Sequence, residues 1–395
     1  MPAEIFHEVL TETEVAVRDT LRRFAVEVMR PVGKQLDLLS AEDVIAKNSM
    51  LWEVHRKYVE IGGGSFANDE SLTPVEAARI RALSSEMLGW GDAGLAISLG
   101  VSGKPTALAA LSGNPELIEK YTLDKIGCWP ITEPNHGSDC IYFGSDGAHG
   151  GSANMGDCVA KREGDRIVIS GQKSSWVSNG SIAQVAALFT QYESDGVKGG
   201  GIFIVPLDSA GVTRGKPTDK IGQRALNQGE IFFDNVSIPL NHMIAGHDDY
   251  HEILESTLVQ ANGHMGSVFA GLARAALEHA VDYAKGRIQG GKPIFEHQAV
   301  RSRLFEMYRK VEAARALNLS VVCRNAVTPR PETAVTSKVT STRTAMDVST
   351  EALCIYGGAG MIREHPIEKM MRDASVSMIE DGENSVLGLI AASRL

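Results

Sequence analysis

Residues 131–139 read ITEPNHGSD, which sets two hydroxyls, two carboxylates, a proline and a glycine directly after an apolar run. A bound pyrophosphate needs compact hydroxyl donors and close backbone approach, and Gly137 with Ser138 offers both. The plain alternative is a turn in which Asp139 caps the segment that follows, with His136 either capping that turn or touching a substrate. A second stretch, KSSWVSNG (173–180), sets Trp176 and Ser178 two residues apart. On an extended segment they share one face, and a flat indole beside a hydroxyl suits a ring system with a polar edge. A core tryptophan beside a satisfied hydroxyl is the alternative. A third stretch, MIEDGENSV, clusters Glu380, Asp381 and Glu383. In isolation such a string reads as a solvated acidic loop. If it is buried, mutual repulsion raises at least one of the pKa values, which suits a base that abstracts a proton.

These residues sit in a chain whose hydrophobic period changes twice. The first 120 or so residues look helical. Thr11 and Glu14 form a capping box, after which Val17, Leu21, Phe24 and Val28 share one face, with Pro31 expected to end the run. A second helix starts at Thr73, with Pro74 first and Glu76 in the opening turn, and runs to GWGDAG at 89–94. From about residue 126, IGCWPI, RIVIS, AQVAALFTQ, GIFIVPL and GEIFFDNVSI read as short strands bounded by Gly, Asp or Pro. Helices return after about residue 250. One stripe holds Val300, Leu304, Met307, Val311, Ala314 and Leu317; another holds Val335, Val339, Thr342, Met346 and Leu353 and closes at Gly357-Gly358. The expected fold is therefore a multi-domain α+β chain: an all-α domain over 1–124, a β-barrel or sandwich over 125–243, and a four-helix bundle over 244–395. A glycine-rich stretch between Ser138 and Asp165 is expected to be a mobile loop or a functional lid.

Composition narrows the function classes. At 395 residues the chain exceeds one compact core, and 43% hydrophobic with 22% charged residues is ordinary for a globular protein. A formal net charge of -10 argues against a nucleic-acid or anionic-membrane surface. No apolar run is expected to reach the roughly 20 residues of a membrane helix. The five cysteines are scattered without a C-x-x-C pair, which reads as reduced thiols, with neither zinc nor disulfides. MPAEIFHEVL lacks a basic region followed by an apolar stretch, so no signal peptide and a cytoplasmic location are expected.

Five stretches in this order resemble the acyl-CoA dehydrogenase family of flavoproteins: ITEPNHGSD, GQKSSWVSNG, YAKGRIQGGKPIFEHQ, YGGAGMIREHPIEKMMRDA and EDGENSVLGLIAASRL. The resemblance runs from LTETE near residue 10 to the C-terminus. It implies FAD, an acyl-CoA or carrier-bound acyl substrate, a homotetramer or dimer, and an electron-transfer flavoprotein as electron acceptor. It places Ile131 and Thr132 at the flavin ring, Ser138 on the pyrophosphate, and Trp176 and Ser178 against the isoalloxazine. Arg287 and Gln298 match positions that reach FAD across a subunit interface, where a guanidinium suits a pyrophosphate. Cys354 stands where the family often has Gln, and Gly290-Gly291 where it usually has Phe-Gly. Gly357 and Gly358 keep the close approach to the cofactor.

The family's reaction is concerted: a carboxylate removes the α-proton of a thioester while the β-hydrogen leaves as hydride to flavin N5. The base is commonly a Glu before a Gly-Thr pair, and that frame puts Asp381 at its position. Glu380 then falls where an aromatic residue is frequent and is the second candidate base. Glu383 replaces the Thr and stands among the cofactor contacts. A second subgroup carries its Glu on an earlier helix, but here that position is Ala261, followed by Asn262 in place of Arg. An Asp base needs the backbone or substrate to move in by roughly 1.5 Å. Two acids beside an acyl pocket fit a polar or cationic substrate. Two other functions stay open. One is a flavin oxidase of the same fold acting on a small non-thioester substrate, in the manner of nitroalkane oxidase, which uses Asp as base. The other is a non-catalytic or half-site subunit of a hetero-oligomeric dehydrogenase.

Overall fold

The structure, a computed structural model, describes residues 9–141 and 156–395. The glycine-rich stretch expected to be a loop or lid lies largely outside the described residues. The N-terminal part folds as helices α1 (Glu12–Phe24), α2 (Arg30–Leu36), α3 (Ala41–Val44), α4 (Leu51–Glu60), α5 (Pro74–Gly91), α6 (Ala93–Ser102), α7 (Lys104–Ser112) and α8 (Pro115–Lys120). Both expected capping boxes form: Thr11 and Thr73 each accept from the backbone three residues on, and Glu14 and Glu76 reach back. Pro31 does not end the first run. A π-helical segment, Ala25–Met29, precedes it, so the missing N–H of Pro31 falls in the opening turn of α2, where no intrahelical bond is lost. The 20-residue stretch Ala93–Ser112 is long and apolar enough to cross a membrane, against expectation. It divides at Gly103 into α6 and α7, and more than half of it is buried inside the fold.

The middle part is an eight-stranded sheet in the order β6-β7-β3-β2-β4-β5-β8, with β1 beside β4. Its strands are β1 (Gly127–Cys128), β2 (Val159–Glu163), β3 (Arg166–Lys173), β4 (Val185–Ser194), β5 (Val197–Pro206), β6 (Val212–Arg214), β7 (Ile231–Pro239) and β8 (Met243–Ala245). Alternation sorts its central strands between two cores. Ala186, Leu188, Phe203 and Val205 pack into the sheet's own core. Val185, Ala187, Phe189, Ile202 and Ile204 meet the helical residues Leu108, Leu117 and Leu254 on the other face. Both faces of β4 and β5 are covered, which is why these strands read as continuous apolar runs.

Helix α9 (Tyr250–Gly286) opens the C-terminal part and is buried along most of its length. A short hairpin, β9 (Ile288–Gln289) and β10 (Lys292–Pro293), turns through Gly290 and Gly291, both at positive φ. Then come α10 (Gln298–Asn325), α11 (Pro331–Tyr356), α12 (Ile367–Val376) and α13 (Asn384–Ala392). Glycines let α9 meet α5 at backbone distance: a Cβ on Gly271 would lie 2.1 Å from the Glu86 carbonyl oxygen, and one on Gly89 2.0 Å from that of Val268. Ion pairs tie α12 to the other parts. Arg372 donates to Asp37 at 2.7 Å and to the Ile221 carbonyl at 2.9 Å, and Lys369 donates to Asp92 at 2.7 Å. The loop that follows α12 is thereby fixed against both the N-terminal helices and the sheet.

Candidate active site

The loop after β1 is bolted to the sheet by a buried ion pair. Lys173, fully buried at the end of β3, donates to Glu133 at 2.6 Å, to the Ile131 carbonyl at 2.9 Å and to the Phe189 carbonyl at 2.8 Å. The Glu133 carboxylate also accepts the backbone N–H groups of Asp157 and Cys158. Thr132 is joined to Ser174 twice, through its carbonyl at 3.0 Å and between hydroxyls at 2.7 Å. Asp139 does not cap the following segment; its carboxylate turns back to the Gly137 N–H at 2.6 Å and pairs with His136 at 2.8 Å. Ser138 is half-buried, and its hydroxyl bonds to no described residue.

Trp176 and Ser178 do not share the face of a strand. The chain turns at Ser175-Trp176, because the Val177 N–H donates to the Ser174 carbonyl at 3.3 Å. Gln228 gathers the two residues instead, with Nε2 donating to the Trp176 carbonyl at 3.0 Å and the Ser178 hydroxyl at 3.3 Å. The Trp176 indole stays 62% exposed, an open aromatic face beside the Thr132 loop's anchor at Ser174. Asn179 holds this turn from below. It is fully buried in the left-handed region at φ 61°, and its amide donates to the Ser98 and Gly127 carbonyls. The Asn179-Gly180 pair is the sequence signal for it, since Asn and Gly tolerate positive φ.

Glu380 and Asp381 point to different neighbours. Glu380 accepts from Gln223 Nε2 at 2.5 Å. Burial pushes its carboxyl up to about 7, against the pull of Gln223 and the Lys220 and Lys338 charges. Asp381 sits at φ 50° and is half-buried, and its carboxylate accepts no hydrogen bond among the described residues. Burial raises its pKa too, while Lys104 and Lys338 oppose the rise. Lys338 reaches from α11 to donate to the Gly382 carbonyl and to Asn384, both at 2.8 Å, and so braces the loop. Burial lowers its ammonium to about 8. A Cβ on Gly382 would lie 2.7 Å from Leu387 and 3.0 Å from Ile141, so the loop lies flat against the end of the segment that carries Ile131 and Thr132. An apolar cleft opens beside it, lined by Ile141, Leu258, Val259, Val335, Leu387 and Ile390, with Asn262 at its wall. The Asn262 Oδ1 atom is buried without a partner.

Glu383, expected among the cofactor contacts, is committed elsewhere. Its carboxylate accepts from Ser385 and Val386 at 2.9 and 3.1 Å as the N-cap of α13, and the Ser385 N–H holds its pKa low. Arg287, Gln298, Cys354, Gly357 and Gly358 are all exposed, at the ends of α9 and α11 and the start of α10. Stacking of Tyr283 on Tyr356 at 4.0 Å joins the ends of α9 and α11. Hydrogen bonds and ring contacts among the described residues do not connect this end of the bundle to Thr132, Trp176 or Asp381. Sequence reasoning missed Lys173, Asn179, Gln223, Lys104 and Lys338. Only the Asn-Gly pair carried a local signal.

Comparison with known proteins agrees with this layout. The family model described as acyl-CoA dehydrogenase, middle domain, matches residues 128–236, and the C-terminal domain model of the same family matches 252–395. An acyl-CoA dehydrogenase of Bacillus subtilis is 31% identical over 290 residues, covering 72% of this chain and 73% of its own. The chain belongs to the acyl-CoA dehydrogenase family. The rat short-chain specific acyl-CoA dehydrogenase, named as mitochondrial, is 28% identical over 98% of this chain and 90% of its own length. Butyryl-CoA dehydrogenase of Megasphaera elsdenii superposes with a TM-score of 0.82 at 27% identity, covering 98% of this chain and 99% of that one. The helical, strand-rich and helical order expected from the sequence is the acyl-CoA dehydrogenase fold, and the chain is a flavin oxidoreductase acting on CH–CH donors.

Proposed function

We propose that this enzyme desaturates an acyl-CoA thioester between its α- and β-carbons, with Asp381 as the base. One observation carries the reading: Asp381 is a half-buried carboxylate without a hydrogen bond among the described residues, on a braced loop against Ile141 and beside an apolar cleft. A base must be partly desolvated and uncommitted to aim at a C–H bond. Glu380 does not fit that role, because its carboxylate is held by Gln223. The residues present suit FAD: the open Trp176 indole, the Thr132–Ser174 hydroxyl pair and the uncommitted Ser138 hydroxyl match a flat ring with a polar edge and a phosphate tail. When bound, the flavin supplies the two-electron acceptor for the hydrogen leaving the β-carbon.

The chain's own residues do the rest. Lys338 and the left-handed backbone at 381–382 fix the direction of the Asp381 carboxyl. Raised by burial, the Asp381 pKa moves toward the working range of a general base. The exposed set Arg287, Gln298, Cys354, Gly357 and Gly358 fits a cofactor shared with a second copy of the chain, and electrons leave to an electron-transfer flavoprotein. The test is anaerobic titration of the yellow protein with a panel of acyl-CoA esters. Wild type bleaches; Asp381→Asn stays yellow and does not bleach. Bleaching by Asp381→Asn sinks the assignment of the base, and bleaching by nitroalkanes with rapid peroxide release moves the enzyme to the oxidase class.

A further inference from the structure

The Asp381 carboxylate has no hydrogen bond among the described residues, yet its backbone stands at φ 50°, a conformation that a non-glycine residue keeps only where its surroundings impose it. Its two chain neighbours are both tethered. On one side the Gly382 carbonyl accepts from Lys338 Nζ at 2.8 Å. On the other the Glu380 carboxylate accepts from Gln223 Nε2 at 2.5 Å. Gln223 lies on the loop between β6 and β7, fully buried and itself left-handed at φ 50°. Its backbone N–H donates to Asp373 Oδ1 at 2.5 Å, and its Nε2 donates a second time to the Asp373 carbonyl at 3.2 Å. Asp373, on α12, is 2% exposed and accepts from Lys369 at 2.6 Å, the same ammonium that reaches Asp92 at 2.7 Å. Asp92 in turn caps α6 through the Leu95 N–H. The loop around Gln223 is pressed between these helices: a Cβ on Gly94 would lie 3.2 Å from Gln223 Cα, and one on Gly222 2.3 Å from the Arg372 carbonyl oxygen. Gln223 Oε1 is buried without a partner. The amide thus forgoes a bond to its oxygen while both of its N–H groups are spent on Asp373 and Glu380.

We propose that Gln223 is a positioning residue for proton abstraction: it ties Glu380 to the β6–β7 loop and α12, and so fixes the direction in which Asp381 leaves the backbone. The inference rests on the reading of Asp381 as base. An aspartate side chain has two torsions, so where its carboxyl points follows mainly from the backbone that carries it. Lys338 holds that backbone after Asp381, and Gln223 holds it before. With the second tether cut, residue 381 can leave its left-handed conformation, and a carboxyl misplaced by about 1 Å loses about a hundredfold in rate. Glu380 serves here as an acceptor and not as a base. A glutamine at 380 offers the same kind of oxygen to Gln223 Nε2, whereas an apolar side chain of the same length does not. Gln223 is enclosed by α6, α12 and its own loop, so its loss acts on the chemistry through Glu380.

The experiment uses the flavin-loaded protein with Gln223→Asn, Glu380→Met, Glu380→Gln and the double variant Gln223→Asn with Glu380→Met. Asparagine tolerates the left-handed backbone at 223 but is one methylene too short to reach Glu380. Glu380→Met keeps the length and removes the acceptor, and it tests the tether even if Gln223→Asn fails to fold. The first readout is flavin bleaching by butyryl-CoA, or by whichever saturated acyl-CoA bleaches wild type fastest. Gln223→Asn and Glu380→Met should each slow the limiting rate about 10- to 100-fold and leave the half-saturating concentration within about twofold. The double variant should be no more than about twofold slower than the slower single, because both changes cut one contact. Glu380→Gln should stay within about threefold of wild type. The second readout needs no turnover: deuterium uptake by the backbone of residues 377–384, read by peptide mass spectrometry, should rise in Gln223→Asn and Glu380→Met and not in Glu380→Gln. Limiting rates within about threefold of wild type in both broken variants, losses that multiply in the double variant, or unchanged uptake overturn the proposal. If Asp381→Asn still bleaches, the base assignment fails by itself, and the uptake still decides whether Gln223 holds this loop.

Discussion

Replacing Lys173 by Met removes a charge but keeps an unbranched side chain of similar length. It strips three acceptors of their donor: Glu133 and the carbonyls of Ile131 and Phe189. Glu133 is 4% exposed and would keep only the Asp157 and Cys158 N–H groups. Breaking a buried pair by deleting one partner costs about 3–5 kcal/mol. Each stranded carbonyl adds about 1 kcal/mol. Together these come to a loss of about 5–7 kcal/mol near neutral pH. Urea unfolding followed by tryptophan fluorescence at about pH 7.5 measures it. The flavin content should fall with it, because the Ile131-Thr132 backbone loses its anchor. A double variant with Glu133→Gln should lie at least about 2 kcal/mol above the sum of the single losses. A loss below about 1 kcal/mol at neutral pH, or strict additivity, would refute the view that this pair holds the loop to the sheet.

Two further outcomes test other parts of the molecule. Gly271→Ala puts a methyl 2.1 Å from the Glu86 carbonyl oxygen, so α5 and α9 must part. It should cost about 1–3 kcal/mol in urea unfolding, and a neutral result would mean that the helices are not in backbone contact. Glu380→Gln keeps the acceptor for Gln223 and removes the ionisation. Because burial lifts this carboxyl to about 7, the folded state holds a proton that the unfolded chain releases above its ordinary value of 4.5. Wild-type stability should therefore fall between about pH 4.5 and about pH 7, and the variant should flatten that fall while still bleaching with acyl-CoA. An unchanged slope would show that Glu380 is not buried, and lost bleaching would make it the base.

The sequence by itself determined the elements and the family. Caps such as Thr11 with Glu14 and Thr73 with Glu76, and the alternation in β4 and β5, are local: they depend on residues within one turn or on one strand. The motif stretches likewise carry their family in residue order, and they led to Thr132, Trp176 and the acidic loop. Only the tertiary structure decided what those side chains do. Glu380 and Asp381 are adjacent in sequence, yet one meets Gln223, 157 residues away, and the other takes its opposing charge from Lys104 and Lys338, on distant parts of the chain. Glu383 looked like a third acid of the site and is a helix cap. Pro31 looked like a stop and sits inside a helical path that the π-turn before it makes possible. Protonation and orientation follow from burial and from charges brought near through space, and spacing along the chain fixes neither.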